Sequence, residues 1–318
     1  MQHSDLPDVE IWLIDNASQD DSMAFVKTEY PQIKIVQLEK NYGFSSGYNR
    51  GLKEISASYF VLLNTDVEVT ENWLQPVVEY LDNNKDVAAC QPKVLSYNEK
   101  SAFEHAGAAG GFIDYLGYPF CRGRIINTLE KDRGQYDNVI DIFWATGACL
   151  FIRSDVFFEA GGFDDNFFAH MEEIDLCWRL KARGKRIACV PQSTVYHLGG
   201  GTLNKENPHK TYLNYRNNLL MLYKNMPKKA LRKALLMRFF LDYASAFVML
   251  ISGKPHDAKA VLKARVDFKK IKKEYKTQRK ENLEASTVLT HKEMCSKSLI
   301  FNYYLRKKKV FTNYFSEV

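Results

Sequence analysis

Apolar runs alternate with amphipathic segments along the first part of this 318-residue chain. Each run ends in polar residues, as where VEIWLID is followed by NASQDDS. The runs at 9–15, 34–39, 58–69 and 87–95 predict strands, and the segments between them predict helices, one of them capped by Thr70. Strand–helix alternation at this spacing is typical of a mostly parallel sheet covered by helices on both faces, so the pattern predicts an α/β fold.

The pattern changes between about residues 96 and 141, where hydrophobic periodicity is weak and glycines and aromatic residues are frequent. We interpret this segment as a long excursion that carries a wall of a substrate site. Strand and helix signals return over 142–163. A helix over 173–184, closed by Gly184, and a strand over 186–191 then continue the α/β pattern.

The last third of the chain is predicted to be helical and increasingly basic. We therefore divide the sequence into a domain over 1–227 and a basic, amphipathic helical tail over 228–318. The net charge of +6 is modest, but Lys and Arg crowd this tail. A solvated helical surface and a helical appendage on an anionic membrane face would both have that composition. No nucleic-acid recognition motif accompanies the charge.

No stretch of the sequence is predicted to span a bilayer, because the best candidate, ALLMRFFLDYASAFVMLISG, is interrupted by Arg238 and Asp242. No secretory signal peptide is visible. The six cysteines are scattered and several lie in apolar runs, which indicates reduced, buried thiols in a cytosolic protein. The composition, with 46% hydrophobic and 26% charged residues, argues against a disordered or fibrous protein.

Three polar clusters fall at the carboxyl ends of predicted strands, where ligands bind in open α/β sheets. They are DNAS after the first strand, NYGFSSGYN after the second and NTD within the third. Singly, each has a simpler explanation, namely a helix cap, a turn or a solvated strand end. Together they favour a binding site at one edge of one sheet.

The segment MEEIDLC, residues 171–177, places three acids among apolar and aromatic neighbours. Acids in a first helical turn can simply complement the helix dipole. Alternatively, one of them could act as a general base, because a poorly solvated carboxylate has a raised pKa and greater basicity. We expect Glu172 and Asp175 to share one helical face and to hold the helix start or a neighbouring Arg.

The ordered series DNAS, NYGFSSGYNRG, LLNTDVEV, TGACLFIRSDVFFEAGGFDDNFF, EEIDLCWR and VYHLGG resembles a family 2 glycosyltransferase of the GT-A fold. The similarity runs from about Val9 to Pro227, and the subgroup resembles bacterial rhamnosyltransferase-like enzymes of surface polysaccharide synthesis. The resemblance implies a Rossmann-like sheet with a C-terminal helical appendage. It also implies inverting transfer of a sugar from a nucleotide sugar to a hydroxyl of a glycan or lipid-linked acceptor.

The resemblance implies a role for each residue that stands at a motif position. Asp66 and His197 would bind Mg²⁺ or Mn²⁺, whose charge stabilises a leaving diphosphate. Glu173 stands at the general-base position, in place of the commoner Asp, with Glu172 beside it. The nucleotide-binding residues would be Asp15, Asn16, Ser18, Asn41, Gly43, Asn49 and Asn64. The acceptor side would be shaped by Trp144 and Gly147.

Two other functions stay open at the level of sequence. Family members normally begin with an extra strand and helix of roughly thirty residues. We expect this domain to be N-terminally truncated, so a catalytically inactive GT-A-like binding module is the alternative. A nucleotidyltransferase would predict a Gly-rich, basic loop after the first strand, and none is seen there. We expect the protein on the cytoplasmic, inner face of the cell membrane, as a peripheral protein without a nucleic-acid partner.

Overall fold

The computed structural model describes residues 6–199 and 207–315, which contain thirteen β-strands and ten α-helices. The strands are β1 (Trp12–Asp15), β2 (Lys34–Gln37), β3 (Tyr59–Leu63), β4 (Val67–Val69), β5 (Val87–Ser96), β6 (Gly111–Asp114), β7 (Pro119–Cys121), β8 (Arg124–Ile125), β9 (Thr128–Leu129), β10 (Ile140–Asp141), β11 (Cys149–Arg153), β12 (Arg186–His197) and β13 (Met294–Cys295). The helices are α1 (Ser22–Glu29), α2 (Gly43–Gly51), α3 (Gln75–Asn83), α4 (Ser154–Glu159), α5 (Glu172–Ala182), α6 (Pro208–Asn225), α7 (Lys228–Ile251), α8 (Pro255–Ile271), α9 (Lys276–Glu284) and α10 (Leu299–Tyr304).

A six-stranded sheet lies at the centre of the fold, in the order β10–β12–β5–β11–β3, with β4 paired to the C-terminal part of β12. Within it only β5 and β12 run parallel. Strand β11 is antiparallel to β3 and β5, and β10 and β4 are antiparallel to β12. The predicted α/β class is confirmed, but the mostly parallel arrangement is wrong. An apolar run indicates that a strand is buried and contains no information about its direction.

Strands β1 and β2 form a separate parallel pair. Within residues 6–199 and 207–315, β1 pairs only with β2, and β3 pairs only with β11. One edge of each strand is therefore open in the described part of the chain. The expected truncation of the domain stays a prediction.

The third apolar run, 58–69, forms two strands instead of the single predicted one. Residues 64–66 interrupt it, and the chain turns so that β4 pairs with β12. Thr70 does not cap the next helix, because its hydroxyl donates to the Thr194 carbonyl at 2.8 Å and α3 begins only at Gln75. Propensity favoured one long strand here, but the polar residues at the break are used for a turn at the sheet edge.

The segment between 96 and 141 contributes a second sheet of five strands, in the order β13–β6–β7–β8–β9. Strands β6 to β9 form short antiparallel hairpins, and β13, from the far end of the chain, pairs parallel with β6. Phe112 and Phe120 of this sheet pack against Phe311 and Phe315 near the C-terminus. The segment is therefore a folded layer, and its role as a substrate wall stays a prediction.

The predicted C-terminal helices are confirmed as α7 to α10. Helices α7 and α8 are joined by a short turn and pack against α6. Leu231, Phe268 and Leu299 of this region belong to the same core cluster as Leu150 of the central sheet. Packing is thus continuous across residue 227, and the division of the chain into two domains stays a prediction.

Helix α7 corrects the expectation about membrane spans. Among the described helices it is the one that, by length and composition alone, could cross a bilayer, with 24 residues. The exclusion from sequence treated Arg238 and Asp242 as interruptions, but both are buried against the rest of the protein. The two charges lie on one face of the helix and leave its other face apolar.

Candidate active site

Asp15, the last residue of β1, is buried at the edge of the two-stranded sheet. Its Oδ1 accepts a hydrogen bond from the Ser18 N–H at 2.9 Å, and its Oδ2 is buried without a hydrogen-bond partner. Ala17 has a φ of 61°, so DNAS forms a tight turn, and α1 begins only at Ser22. A buried acceptor without a partner destabilises the protein unless a ligand supplies a donor.

Asn16 connects the first polar cluster to the second. Its Oδ1 accepts from the Tyr42 N–H at 2.9 Å, and its Nδ2 donates to the Gly43 carbonyl at 2.9 Å and to Asn41 Oδ1 at 3.3 Å. Asn41 Oδ1 also accepts from the Gly43 N–H at 2.8 Å. The structure thus brings Asn16, Asn41 and Gly43 together, and their contact with a nucleotide stays a prediction.

Gly43 begins α2 in close contact with Phe168. Its φ is 78°, and a Cβ at this position would lie 2.4 Å from the Phe168 ring, so only glycine fits. The Phe168 carbonyl accepts from the N–H groups of Phe44 and Ser45 at 2.6 and 3.2 Å. The start of α2 therefore holds the loop that precedes the acidic segment, and two of its N–H groups are already bonded.

Asn49 does not join this polar cluster. Its Nδ2 donates to the Phe163 carbonyl and to Asp165 Oδ1, both at 2.8 Å, and its Oδ1 accepts from the Phe163 N–H at 2.9 Å. Both ends of the amide are therefore used to hold the turn around Phe163. The sequence motif did not reveal which face of α2 Asn49 occupies, and its contact with a nucleotide stays a prediction.

Asp66 and His197 meet where the break after β3 approaches the end of β12. Asp66 Oδ1 lies 3.2 Å from His197 Nε2, and His197 Nδ1 lies 3.2 Å from Glu104 Oε2. Burial lowers the pKa of His197, but the two carboxylates outweigh this effect and the pKa is raised. Sequence reasoning missed Glu104, since it lies in the segment with weak periodicity and only the fold brings it to His197.

The donor set fits a hard divalent cation that is held by two protein ligands. Asp66 supplies a carboxylate oxygen and His197 an imidazole nitrogen, with Glu104 on the other nitrogen to orient the ring. Mn²⁺ accepts this mixture, and Mg²⁺ often takes one or two carboxylates and completes its shell with water and substrate phosphates. Within the described residues no group of three or more side chains forms a complete cation site. A cation here would therefore depend on oxygens of the substrate.

Asn64, another member of the predicted site, adjoins Asp66 in sequence. Asn64 precedes Asp66 by two residues, and its backbone N–H donates to the Ala148 carbonyl at 3.0 Å, which ties the break to the start of β11. The predicted nucleotide contact of Asn64 stays a prediction. Gly200, the last residue of the VYHLGG motif, lies outside the described residues.

Glu172 and Glu173 open α5 immediately after Met171, which has a left-handed backbone. Each has a buried Oε2 without a hydrogen-bond partner. Burial raises both pKa values, and the Glu173 charge adds to the effect on Glu172. The pKa of Glu172 is well above its usual range, and that of Glu173 is raised to about 7. A carboxyl with a pKa near neutrality is suited to general acid–base chemistry.

Of the two residues expected on the acceptor side, Gly147 lies beside Glu173. A Cβ on Gly147 would come within 3.2 Å of the Phe44 ring and 3.9 Å of the Glu173 Cβ. Trp144 is buried, and its indole N–H donates to the Phe112 carbonyl at 2.8 Å. Its ring fills the junction between the two sheets, and its role on the acceptor side stays a prediction.

Asp175, the third acid of MEEIDLC, belongs to a buried ion-pair network. Its Oδ2 lies 3.0 Å from Arg179 Nε and 2.8 Å from Lys224 Nζ. Lys224 Nζ lies 2.6 Å from a second carboxylate, Asp164 Oδ2. Asp175 thus holds a neighbouring Arg, as expected, whereas Glu172 lies at the start of the helix and takes no part in this network. Lys224 is distant in sequence and could not be paired with Asp175 from spacing.

The loop over 167–171, directly before the two glutamates, is held by helix α6. The amide of Asn217 is fully buried, and its Nδ2 donates at 2.8–2.9 Å to three carbonyls of this loop, those of Phe167, Ala169 and His170. Three loop residues, Phe168, His170 and Met171, have φ between 66° and 73°. Such backbone persists only where the surroundings determine it. Asn217 therefore positions the segment that leads into Glu172, and no sequence signal identified it.

The acid pair predicts a pH dependence of stability. Unfolded Glu carboxyls titrate near 4.5, whereas in the folded protein the pKa of Glu173 is about 7 and that of Glu172 is also raised. Between pH 4.5 and 7 the folded protein therefore binds more protons than the unfolded chain, and its stability falls as pH rises. We expect Glu172→Gln to raise the free energy of unfolding at pH 8 by about 1–3 kcal/mol, measured by chemical denaturation.

The control for this prediction is Glu71→Gln, which removes an exposed carboxyl. It should change stability by less than about 0.5 kcal/mol at any pH. At pH 4.5 the free energies of unfolding of the Glu172→Gln variant and the unaltered protein should differ little. At that pH the Glu172 carboxyl is protonated in the folded protein and in a large share of the unfolded molecules. A Glu172→Gln variant that is less stable at pH 8 would contradict the buried-acid interpretation.

Residues 1–157 match the family described as Glycosyl transferase family 2. The chain contains a family 2 glycosyl transferase domain. The O-antigen biosynthesis protein RfbC of Myxococcus xanthus is 27% identical over 194 residues, which cover 60% of this chain and 15% of that protein. The N-acetylglucosaminyl-diphospho-decaprenol L-rhamnosyltransferase of Mycobacterium tuberculosis is 23% identical over 205 residues, which cover 59% of this chain and 66% of that protein. The chain thus spans only part of each curated relative.

Solved structures confirm the fold of the family 2 glycosyl transferase domain. The crystal structure of GalNAc-T7 with UDP, GalNAc and Mn²⁺ superposes with a TM-score of 0.53 at 18% identity. The superposition covers 84% of this chain and 50% of that one, so the likeness extends well beyond residue 157. The predicted GT-A class is confirmed, with mixed sheets and a C-terminal helical region.

Proposed function

We propose that this protein is an inverting glycosyltransferase that moves a sugar from a nucleotide sugar to an acceptor hydroxyl. The observation that carries the proposal is the acid pair at the start of α5. Glu173 has a buried, unpartnered oxygen and a pKa of about 7, and it lies beside Gly147. One positioned carboxylate can take the hydroxyl proton while the acceptor oxygen bonds to the anomeric carbon and the diphosphate leaves with the electrons of the broken bond.

The donor would lie between the polar edge at β1 and the Asp66–His197 pair. Asp15 offers its unpartnered Oδ2 to a donor group of the nucleotide base, and the Asn16 cluster lines the same edge with Ser18, whose N–H bonds to Asp15. Asn64 would contact the nucleotide from the break after β3. Asp66 and His197 would hold Mg²⁺ or Mn²⁺. When bound, such an ion neutralises charge on the leaving diphosphate.

The names of two relatives support a finer proposal for the transferred sugar and the acceptor. One is an O-antigen biosynthesis protein and the other an L-rhamnosyltransferase that acts on a diphospho-decaprenol lipid. We infer transfer of a hexose or deoxyhexose to a glycan or lipid-linked acceptor in surface polysaccharide synthesis. Such an acceptor is held at a membrane, so we place the protein peripherally on the inner, cytoplasmic membrane face.

A catalytically inactive GT-A-like binding module is the alternative, and the geometry does not favour it. The fold keeps Asp66 beside His197 and keeps two glutamates that each have a buried, unpartnered oxygen. Unsatisfied buried carboxyls lower stability, so a module without catalysis gains nothing from them. Incubation with labelled sugar nucleotides, Mn²⁺ and a bacterial membrane extract tests the two proposals. Label in a lipid or glycan product supports the enzyme, whereas nucleotide binding without any transfer supports the inactive module.

Asp66→Ala should abolish cation-dependent binding of a nucleoside diphosphate and leave the fold intact. Asp66 sits in the break between β3 and β4, and His197 alone would leave a divalent cation with one protein ligand. Mn²⁺ should increase the affinity for the nucleoside diphosphate, and we expect this increase to be at least about 10-fold smaller in the variant. Loss of a residue that merely orients a metal ligand already lowers metal affinity by that factor. Calorimetric titration with and without Mn²⁺ measures the effect.

The control variant is Glu68→Ala, two residues further on in β4. Its side chain is exposed and pairs only with Lys100 at the surface, so its loss should leave cation-dependent binding unchanged. Equal Mn²⁺-dependent binding by the Asp66→Ala variant and the unaltered protein would overturn the assignment of this residue as a metal ligand.

A further inference from the structure

Helix α7 exposes an apolar face to solvent. From Ala234 to Ile251 the only charged residues are Arg238 and Asp242, and both are buried. The large apolar side chains of this stretch that point outward are 40–67% exposed; they are Leu236, Met237, Phe239, Phe240, Tyr243, Phe247, Val248, Leu250 and Ile251. Over 234–251 this face is about 25 Å long. An apolar surface of that extent on a folded protein marks an interaction site.

The polar face of α7 is turned towards the protein. Arg238 Nε pairs with Asp242 Oδ1 at 2.9 Å, and Arg265 of α8 also contacts the Asp242 carboxylate. Arg238 reaches Asn218 of α6 and the Leu116 carbonyl as well. The helix is thus amphipathic, with its charged side chains paired inside the fold and its apolar side chains exposed. A surface helix of a soluble protein normally has the opposite orientation, with its apolar face on the core and its charged face in water.

Cations gather at one end of this apolar face. Asp242 contacts Arg265, and Ala246 packs with Ala258 and Val261, so α7 and α8 run antiparallel. The start of α7 and the end of α8 are therefore at the same end of the hairpin. They carry Lys228, Lys229, Arg232, Lys233, Lys269, Lys270, Lys272 and Lys273. Helix α7 has no acidic residue besides the buried Asp242, so nothing on its surface neutralises this charge.

We propose that the outer face of α7 docks on a monolayer of anionic phospholipid, with the helix lying in the plane of the membrane and the lysine-rich end of the hairpin on lipid phosphates. The inference rests on the membrane partner in the proposed function and specifies how it is bound. Apolar side chains beside a basic cluster match the acyl boundary and the headgroups of such a layer. Each cation adds attraction that salt weakens, whereas the apolar contact persists in salt.

A transmembrane position of α7 conflicts with its contacts. Crossing the bilayer would separate Arg238 and Asp242 from Arg265, Asn218 and Leu116, or would carry all of these groups into hydrocarbon. Charged side chains at the centre of a bilayer are costly. The in-plane position leaves every one of these contacts intact.

The experiment is flotation of the purified full chain with vesicles of phosphatidylglycerol and phosphatidylcholine, without any sugar nucleotide. The test variant is Phe240→Ser with Phe247→Ser, because both rings are more than 60% exposed and their loss should not affect folding. We expect its partition coefficient to fall roughly 100-fold. Phe25→Ser, an equally exposed ring on α1, should bind as the unaltered protein does.

The lipid composition and the salt concentration separate the two parts of the docking surface. Binding to neutral vesicles should be weaker, and high salt should reduce binding to anionic vesicles down to that level. If the double Phe variant binds anionic vesicles as well as the unaltered protein, the apolar face is not the docking surface. If the unaltered protein binds no vesicles, the inference is overturned.

Depth measurements decide between an in-plane helix and a span. Leu236→Trp and Ile251→Trp should be quenched to the same degree by a lipid brominated at one acyl depth, after subtraction of the signal of the unaltered protein. A spanning helix would separate these positions by about 22 Å of depth, and such a difference would overturn the proposal. The proposal would also be overturned if sedimentation without lipid showed a dimer that the double Phe substitution dissociates. The apolar face would then be the contact surface for a second copy of the chain.

The enzyme proposal is tested separately with a water-soluble acceptor. A double Phe variant that transfers sugar to a soluble acceptor but not to one in vesicles would support docking through α7. If the unaltered protein transfers sugar to the soluble acceptor but does not bind vesicles, the enzyme proposal is supported and the docking proposal is overturned. If it binds vesicles but transfers no sugar, the docking proposal is supported and the enzyme proposal is overturned.

Discussion

Glu173→Gln should lower single-turnover sugar transfer by about 10²- to 10⁴-fold and leave donor binding unchanged. Glutamine keeps the shape and hydrogen-bonding capacity of the side chain, but it cannot take the proton of the attacking hydroxyl. Glu173 has the raised pKa, the unpartnered oxygen and the position beside Gly147 that a base requires. The residues proposed for the nucleotide and the cation lie elsewhere, at the end of β1, around the start of α2, in the break between β3 and β4 and at the end of β12.

The measurement is single-turnover transfer at a saturating concentration of sugar nucleotide, with every variant compared at equal donor occupancy. Glu172→Gln is the matched variant, one residue away, and it should affect the rate less and stability more. If Glu172→Gln abolishes transfer while Glu173→Gln turns over normally, the two roles are exchanged. If both variants remain active, these acids only begin the helix and the catalytic interpretation of MEEIDLC fails.

Lys224→Met should lower the free energy of unfolding by about 3–5 kcal/mol. The ammonium group is fully buried between Asp164 and Asp175, and methionine keeps the volume but removes the charge. Arg179 would still pair with Asp175, but Asp164 would lose its cation and keep neutral donors on Oδ1 alone, the Asn166 N–H at 3.1 Å and the Tyr275 hydroxyl at 3.4 Å. A buried carboxylate without a cation is costly, and this cost exceeds the gain from the apolar replacement.

Urea denaturation at pH 7 measures the change, and Lys263→Met supplies the comparison. Lys263 also pairs with an aspartate, Asp267, but its side chain is 66% exposed, so its loss should cost less than about 1 kcal/mol. A loss below 1 kcal/mol for Lys224→Met would show that the buried pairs contribute no more than surface pairs. Because Asp175 lies in the helix that Glu173 begins, the Lys224 variant should also slow transfer.

Much of the fold followed from local pattern, because burial and turns leave a periodic signal in sequence. The strands β2 and β5 and the end of α5 close to Gly184 were predicted in place. All six cysteines are buried and free, as expected. Strand direction was not predictable, since a buried strand has the same apolar pattern whichever way it runs.

The residues that were missed are those whose partners are far away in sequence. Glu104 contacts His197, Lys224 contacts Asp164, and Asn217 holds the loop before the glutamates. Each is an ordinary polar residue in its own segment, and only the packed fold shows that it is buried. The burial of Trp144 was not predictable for a related reason: an aromatic residue near a polar motif suits a binding wall and a core equally well, and the sequence does not distinguish the two.

The pairing of β13 with β6 has a consequence for synthesis on the ribosome. The parallel partner of Ile113 is Met294, and Phe311 donates its backbone N–H to Glu130 at 3.0 Å. The second sheet therefore keeps an open edge and uncovered phenylalanines until the segment from Met294 to Phe311 has been translated, long after β6 itself. A nascent chain that stalls before Met294 would present that edge to other chains, so translation arrest between β9 and β13 should yield aggregation-prone products.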